Sequence, residues 1–271
     1  MMSILDDIVA RRRQDIEAAR LRVPEELLSR HARAMTRPHD LAAALRPPRA
    51  AAARPRIIAE LKRASPSKGL IRADFHPVEL ARQLTAAGAA ALSVLTEPHA
   101  FQGGLRILRL ARGNTRLPLL CKDFITDPYQ VYQARVFGAD AILLIVACLD
   151  ADAYRRLSTA AAELRMTVLT EIHTAEELDT ALGWGARVIG VNSRDLKTFK
   201  TDWAGTDRLL RHVPADRLAV AESGIASPAD LGRLTAAGAA AFLVGETLMR
   251  AERPGEALAR LLGDGGPEGA P

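Results

Sequence analysis

From Arg56 onward, eight short apolar segments alternate with eight amphipathic segments, and this alternation limits the chain to very few folds. The apolar segments have the length, the β-branched content and the Gly, Pro or Ser boundaries of buried strands. We predict strands at Ile57–Lys62, Ala91–Thr96, Leu119–Phe124, Ala141–Val146, Val168–His173, Val188–Asn192, Leu218–Ser223 and Ala241–Val244. We predict helices between them at Pro77–Ala87, Leu105–Arg112, Pro128–Phe137, Ala151–Leu164, Ala175–Leu182, Asp207–His212, Pro228–Ala237 and Pro254–Leu262. Eight strand–helix units in about 210 residues predict an α/β fold, the (β/α)8 TIM barrel.

An internal repeat supports a closed barrel. The segment Ala86-Ala-Gly-Ala-Ala-Ala-Leu-Ser-Val-Leu95 resembles Ala236-Ala-Gly-Ala-Ala-Ala-Phe-Leu-Val-Gly245, and related segments begin at Phe137 and Trp184. In each, a glycine ends a helix and a short apolar strand follows at once; the spacing of about fifty residues is two strand–helix units. An open doubly wound sheet is the alternative, but the sequence has neither GxGxxG nor GxxxxGKS/T, the phosphate loops of such sheets.

The segment before the barrel has a different pattern. Ser3–Arg22 and Pro24–Ala34 are predicted helices, Leu41–Leu45 is one further helical turn, and Pro47–Pro55 is a linker rich in Pro, Ala and Arg. We expect residues 1–55 to form a helical extension packed on the barrel at its open end. Residues 56–263 then form the catalytic barrel, and residues 264–271 a flexible tail.

Composition excludes several classes of protein. The net charge is +5, but no basic block is interleaved with aromatic residues, so we expect no nucleic-acid partner. Cys121 and Cys148 lack metal-ligand spacing, which predicts a reducing, cytoplasmic location, no structural metal and, with no nucleotide loop, no cofactor. The longest uncharged apolar run, Ala141–Leu149, is too short to span a bilayer, so we expect no membrane partner.

Polar residues follow the predicted strands at the end where active sites of such barrels lie. Alternation places Ile58, Glu60 and Lys62 on one face of the first strand, so two charges point inward from a buried strand. A purely structural Glu60–Lys62 pair is the alternative at this position. The other inward or loop-forming candidates are Lys122, Glu171, Asn192, Arg194, Glu222, Ser223, Gly224, Gly245 and Glu246.

Two kinds of chemistry are indicated by these residue types. Close lysines and glutamates shift each other's pKa, which suits proton transfer. Ser223-Gly224 and Gly245-Glu246 each lead into a helix and can offer backbone N–H groups to a phosphate. The loop Ser65-Pro-Ser-Lys-Gly69 offers hydroxyls and a cation to an anionic substrate. We interpret His173 as a loop residue rather than a base.

Seven motifs occur in an order that is specific to one family. They are Ile58-Ala-Glu-Leu-Lys-Arg-Ala-Ser-Pro-Ser-Lys-Gly69, Ser93-Val-Leu-Thr-Glu97 with Phe101-Gln-Gly103, Leu120-Cys-Lys-Asp-Phe-Ile125, Thr170-Glu-Ile-His-Thr174, Gly190-Val-Asn-Ser-Arg-Asp-Leu196, Ala221-Glu-Ser-Gly-Ile225 and Phe242-Leu-Val-Gly-Glu246. Together they resemble the indole-3-glycerol-phosphate synthase family, from about Ile4 to Leu262. Cys121, Ser193 and Ala221 depart from the usual family residues, which are apolar, Asn and Ser respectively.

The resemblance implies a reaction and a role for each residue. The substrate is 1-(2-carboxyphenylamino)-1-deoxyribulose 5-phosphate; ring closure, decarboxylation and dehydration yield indole-3-glycerol phosphate, CO2 and water in tryptophan biosynthesis. Lys122 is the implied general acid, Glu171 the second acid/base and Lys62 the partner of the substrate carboxylate. Glu60, Asn192 and Glu222 orient the substrate and tune the lysines. The implied pocket for the anthranilate ring is lined by Phe101, Phe124 and Leu196. The phosphate is bound by Ser65, Arg194, Ser223, Gly224, Gly245 and Glu246, the last through its backbone N–H.

Two alternatives stay open at this point. One is a different phosphate-binding barrel enzyme, of the phosphoribosylanthranilate isomerase type, although such an enzyme uses a Cys/Asp pair at other strand ends. The other is a barrel without catalytic activity that binds a phosphorylated metabolite. The resemblance also leaves open whether the protein is a monomer or a homodimer, and whether it docks with other enzymes of the tryptophan pathway.

Overall fold

The computed structural model describes residues 4–46, 54–194 and 202–264, and within them eight parallel strands close into a barrel. The barrel strands are β1 (Arg56–Leu61), β4 (Ala91–Leu95), β5 (Leu119–Lys122), β6 (Ala141–Ile145), β7 (Thr167–Ile172), β8 (Val188–Asn192), β9 (Leu218–Glu222) and β10 (Ala241–Val244). Each pairs with its neighbours in chain order, and β10 pairs with β1 to close the ring. All eight predicted strands are therefore confirmed, with boundaries within two residues.

Helices follow the barrel strands and form its outer layer. They are α4 (Pro77–Ala86), α5 (Leu105–Arg112), α6 (Pro128–Val136), α7 (Ala151–Glu163), α8 (Ala175–Gly183), α9 (Trp203–His212), α10 (Pro228–Ala236), α11 (Glu246–Arg250) and α12 (Pro254–Leu261), with a short 3-10 helix, η1 (Val146–Cys148). The predicted start of α9 at Asp207 is wrong, because the Asp202 side chain accepts a hydrogen bond from the Gly205 N–H and caps the helix four residues earlier. No helix of the described residues is both long and apolar enough to cross a bilayer.

The two faces of each strand have different surroundings. Inward-facing side chains fill the barrel; they include Ile58, Leu120, Leu143, Leu169, Val220 and Leu243. Outward-facing side chains, among them Ile57, Ala59 and Leu61 of β1, pack in a second cluster with the surrounding helices. The inward direction of Glu60 follows, because it alternates with these outward residues.

Three N-terminal helices, α1 (Ile4–Arg22), α2 (Glu25–Ala34) and α3 (Leu41–Leu45), contact the barrel at different places. Ile8 of α1 is buried in the cluster that contains Phe124, at the open end of the barrel where the strands end. Helix α2 packs on α6 along the outside. Leu41 and Leu45 of α3 are fully buried against β1 and β4, in the cluster that contains the first residues of β4 and β6. The extension therefore reaches both ends of the barrel.

The loop after β1 contains structure that the sequence pattern did not indicate. Strands β2 (Ala64–Ser65) and β3 (Gly69–Leu70) pair as a small antiparallel hairpin. Gly69 has a φ of +61°, in the left-handed region that favours glycine. The hairpin places Ser65, Ser67 and Lys68 beside the open end of the barrel, where they line its cavity. Most of the predicted linker at 47–55 and of the predicted tail at 264–271 lies outside the described residues.

Candidate active site

A cavity of about 390 Å³ opens at the carboxyl ends of the barrel strands. Every predicted site residue that the structure describes lines it: Glu60, Lys62, Ser65, Phe101, Lys122, Phe124, Glu171, Asn192, Arg194, Glu222, Ser223, Gly224, Gly245 and Glu246. Leu196, the remaining predicted residue, lies outside the described residues. The strand ends thus bring side chains from the whole length of the barrel sequence to one place.

Charged side chains in this cavity form two ion-paired groups that influence each other electrostatically. Lys122 Nζ lies 2.9 Å from Glu171 Oε2 and 3.3 Å from Glu222 Oε2. Lys62 Nζ lies 2.7 Å from Glu60 Oε2. Glu60, Lys122, Glu171 and Glu222 come from β1, β5, β7 and β9, which are alternate strands of the barrel. Alternate strands contribute the side chains of one layer inside such a barrel, which explains why these four meet.

The cluster changes the protonation of its members. Burial alone would lower the pKa of Lys122, but the carboxylates of Glu171, Glu222 and Glu60 outweigh burial and raise that pKa, so the ammonium form is retained. Burial, together with the neighbouring carboxylates Glu171 and Glu60, raises the pKa of Glu222 to about 8, although Lys122 opposes this. Glu171 shifts the other way: burial would raise its pKa, but Lys122 and His173 lower it. Glu171 and Glu222, which both contact Lys122, therefore have pKa values shifted in opposite directions.

Two glycines, Gly190 in β8 and Gly245 directly after β10, make room for the glutamates. A Cβ atom at Gly190 would lie 2.2 Å from Glu222 Oε1, and a Cβ atom at Gly245 would lie 2.2 Å from Glu60 Oε2. Any side chain at either position would push a buried carboxylate away from its lysine. Gly245 was predicted for the phosphate end, whereas the contribution of Gly190 was not predicted.

Both oxygens of the Glu171 carboxylate are contacted. Oε2 accepts from Lys122, and Oε1 accepts a 3.2 Å hydrogen bond from Asn192 Nδ2. His173 Nε2 lies 3.4 Å from Oε1 as an ion-pair contact without hydrogen-bond geometry. The sequence analysis interpreted His173 as a loop residue rather than a base, although it closes the fifth predicted strand on the same side as Glu171. Alternation along the strand did not show that the ring reaches the Glu171 carboxylate.

An apolar wall faces the charged cluster. The rings of Phe101 and Phe124 lie 6.0 Å apart between centroids, and Leu95, Leu143 and Ile145 extend the wall. The loop that carries Phe101 is held by Glu97, a fully buried carboxylate that accepts backbone N–H groups of residues 99, 100 and 101 at 2.7–2.9 Å. Glu97 was part of a motif but received no role from the sequence.

Another part of the cavity lining is polar and contains two residues with positive φ. Ser223 and Gly224 both have positive φ, +68° and +73°, immediately after β9. Arg194 Nη2 donates to Glu246 Oε2 at 3.1 Å, at the start of α11. Ser65 Oγ is buried and has no hydrogen-bond partner among the described residues. These groups offer hydroxyl, guanidinium and backbone donors to an anion.

The three departures from the family pattern do not touch the charged cluster. Cys121 is buried on the outward face of β5 and contacts Thr96 Oγ1 at 3.2 Å. Ser193 Oγ donates to the Ser223 carbonyl at 3.1 Å, and Ala221 is fully buried. Among the described residues, no group of three or more His, Cys, Asp or Glu side chains is arranged to hold a metal ion.

Two solved structures with the same fold share little sequence with this chain. A 3-hexulose-6-phosphate synthase matches with a TM-score of 0.63 at 15% identity, over 77% of this chain and 99% of that one. KGPDC from Streptococcus mutans matches with a TM-score of 0.62 at 13% identity, over 78% of this chain and 96% of that one. At such identity the likeness supports the barrel fold alone.

Sequence relatives are far closer. "Indole-3-glycerol phosphate synthase" from Polaromonas sp. is 49% identical over 263 residues, covering 97% of this chain and 99% of the relative. The enzyme of the same name from Variovorax paradoxus is 49% identical over 265 residues, covering 96% and 99%. The model of the family described as indole-3-glycerol phosphate synthase matches residues 5–261. The chain therefore belongs to the indole-3-glycerol phosphate synthase family.

Proposed function

We propose that Lys122 and Glu171 divide the chemistry of this family's reaction, with Lys122 acting in ring closure and Glu171 in dehydration. The family comprises carboxy-lyases of tryptophan biosynthesis that act on a phosphorylated substrate. The observation that carries the proposal is the position of Lys122 Nζ in the cavity lining, within 3.3 Å of two carboxylates from different strands.

Ring closure requires an acid. The ring carbon that bears the carboxylate attacks the substrate ketone, a carbon–carbon bond forms, and the ketone oxygen gains negative charge. Lys122 stays protonated because its carboxylate neighbours raise its pKa. The developing alkoxide is a stronger base than an amine, so the Nζ proton passes to it as the bond forms. Lys122 is left neutral, and Glu171 and Glu222 hold it in place.

Decarboxylation follows without an external electron sink. Ring closure leaves an iminium next to the carboxylate, and loss of CO2 returns the electron pair to the ring and restores its aromaticity. Lys62 would bind the carboxylate until this step. Its ion pair with the buried Glu60 fixes the ammonium at the end of β1.

Dehydration needs one proton given and one proton taken. The carbon–oxygen bond breaks, the oxygen leaves as water with an added proton, and the adjacent methylene carbon loses a proton to complete the indole. Glu171 is 1% exposed and contacts Lys122 directly, so it can exchange protons with the lysine that acted before it. Dehydration takes up one proton and releases one, so Lys122 must regain from solvent the proton that it gave in ring closure. The whole reaction consumes that one proton, because CO2 leaves from a carboxylate.

The remaining cavity residues would hold the two ends of the substrate. Glu60, Asn192 and Glu222 orient the substrate and the lysines. The pocket for the anthranilate ring would be lined by Phe101, Phe124 and Leu196. The phosphate would bind to Ser65, Arg194, Ser223, Gly224, Gly245 and the backbone N–H of Glu246. We also propose a cytoplasmic location, which rests on the two unpaired cysteines.

The isomerase-type alternative would need a cysteine as an acid or base in this cavity, and neither cysteine of the chain lines it. Cys121 points away from the barrel interior, and burial together with the Asp123 charge raises the pKa of its thiol to about 12. Cys148 does not line the cavity, and burial likewise raises the pKa of its thiol to about 12. Neither thiol is set up to act as an acid or base at neutral pH.

The proposal is tested by following indole formation and CO2 release from the carboxyphenylamino-deoxyribulose phosphate. Lys122→Ala should lower kcat by about a hundred- to ten-thousand-fold while the protein still folds and binds substrate, as expected for loss of general acid catalysis. Lys122→Arg is the matched control, because it keeps the cation between the two glutamates but moves the donor and removes a transferable proton. A fall in kcat of less than about tenfold in Lys122→Ala would contradict the role.

A further inference from the structure

The His173 side chain lies beside the active site, in contact with two carboxylates. It directly follows β7, and its side chain is 10% exposed. Its ring lies between two carboxylates: Nε2 is 3.4 Å from Glu171 Oε1, and Nδ1 is 3.3 Å from Glu177 Oε2. Glu177 Oε2 also accepts the His173 backbone N–H at 2.6 Å, so backbone and ring are held by the same group.

The ring lies beside a cluster of mixed charge. The inner cluster has three carboxyl groups, Glu60, Glu171 and Glu222, and two ammonium groups, Lys62 and Lys122; because the pKa of Glu222 is raised to about 8, that carboxyl group is mostly protonated at neutral pH. An imidazolium at His173 supplies a third positive charge next to Glu171. Glu177 on α8 contacts the ring, and Cys148 on η1 is close enough for its thiol to be influenced by the charges of Glu171 and Glu177 and by those of Asp6 and Arg13 on α1.

Three side chains contact the Glu171 carboxylate. Lys122 donates to Oε2 and Asn192, the last residue of β8, donates to Oε1, whereas His173, the residue after β7, lies against Oε1 as an ion-pair contact. Lys122 changes charge during ring closure under the proposed function. When it does, Asn192 is neutral, so a cation at His173 is what keeps a positive charge against the Glu171 carboxylate.

We infer that His173 is a positioning residue for Glu171: its imidazolium, clamped by Glu177, keeps the Glu171 carboxylate ionised and oriented between Lys122 and Asn192. The inference rests on the proposed acid/base role of Glu171. Burial would lower the pKa of His173, but its contacts with Glu171 and Glu177 outweigh burial and raise that pKa to about 10, which favours the charged ring at neutral pH.

Two substitutions separate the contacts of the ring. In His173→Asn, the amide nitrogen takes the place of Nδ1 and can still donate to Glu177, but the contact with Glu171 is lost. In His173→Gln, the longer amide can still donate to Glu171, but the positive charge is lost. His76 also pairs with a carboxylate, Asp74 at 2.6 Å, but is exposed and outside the cavity, so His76→Asn is the matched control.

The measurements are kcat, KM and the pH profile of kcat/KM. We expect His173→Asn to lower kcat about tenfold with KM changed less than about threefold, the pattern of a group used mainly in the transition state. Loss of the cation raises the pKa of Glu171, so the acidic limb of the profile should move up by about one pH unit in both variants. His173→Gln should recover part of kcat, and His76→Asn should match the parent protein.

Two outcomes overturn the inference. The first is a pH profile of kcat/KM in which the folded His173 variants keep the acidic limb of the parent protein, even if kcat falls. A residue with only a structural role would leave that limb in place. The other comes from nitrogen NMR of the full chain, which needs no variant to fold: we expect a doubly protonated His173 ring at pH 8, and a neutral ring there contradicts the inference. Glu171→Gln, measured in parallel, separates the two proposals. If Glu171→Gln is inactive while the His173 variants behave like the parent protein, only the role of His173 fails. If Glu171→Gln is fully active, the role of Glu171 fails and the role of His173 fails with it.

Discussion

Arg12 and Asp123, 111 positions apart, form a buried ion pair with two parallel hydrogen bonds, Nε to Oδ1 and Nη2 to Oδ2, each 2.9 Å. Asp123 immediately follows Lys122 and also accepts from Thr96 Oγ1 at 2.7 Å. The pair therefore joins the first helix of the extension to the chain segment that positions the proposed general acid.

Arg12→Met should destabilise the protein strongly, because it leaves the Asp123 carboxylate buried without its cation. Breaking one side of a buried pair costs about 3–5 kcal/mol, which urea unfolding can measure. Arg33→Met is the control: its partner Glu163 is exposed, so the cost should stay below about 1 kcal/mol. Adding Asp123→Asn to Arg12→Met should restore part of the loss. Equal, small effects of the two arginine substitutions would show that the buried pair does not fasten α1.

Gly190→Ala should lower kcat, because the new methyl group would occupy the place of Glu222 Oε1. Displacing that carboxylate removes one of the two contacts that hold Lys122. We expect a loss of about tenfold or more in kcat, since small misplacements of catalytic groups are costly. Gly232→Ala is the control, because that helical position has open space around it and should gain about 0.5–1 kcal/mol of stability. An active Gly190→Ala protein would show that Glu222 can move freely.

Glu222 should make stability depend on pH in a particular direction. Its pKa is raised in the folded protein, from 4.5 to about 8, so the folded state holds a proton that the unfolded state has lost. This contribution is fully present below about pH 4.5 and is lost as the pH rises through about 8. Between those limits, the free energy of unfolding should fall by up to about 1.4 kcal/mol per pH unit relative to Glu222→Gln, which cannot titrate. The prediction would be refuted if the free energies of unfolding of the parent protein and of Glu222→Gln changed with pH in the same way.

Much of the fold could be predicted because each barrel strand is a contiguous apolar run whose alternation determines which side chains face inward. Lys122 was placed in the cavity on that basis, since Leu120 and Phe124 share its face of the third strand. The same alternation placed Glu60 and Lys62 together, and they form an ion pair at 2.7 Å.

Contacts between distant segments could not be predicted in this way. Arg12 reads as one of several arginines on an amphipathic helix until the barrel brings Asp123 to it. Alternation places His173 on the same side of the fifth strand as Glu171, but it does not show that Glu177 of the next helix contacts the ring at 3.3 Å. Gly190 looks like an ordinary strand glycine until Glu222 of the next strand lies against it.

The most direct test of the division between Lys122 and Glu171 is a single-turnover experiment on Glu171→Gln, with CO2 release and indole formation followed together. Gln keeps the shape and hydrogen bonding of Glu171 but has no transferable proton, so kcat should fall strongly with little change in KM. Ring closure and decarboxylation should then still proceed, and CO2 release should run ahead of indole formation. Equal slowing of CO2 release and indole formation would place Glu171 at or before ring closure and contradict the division.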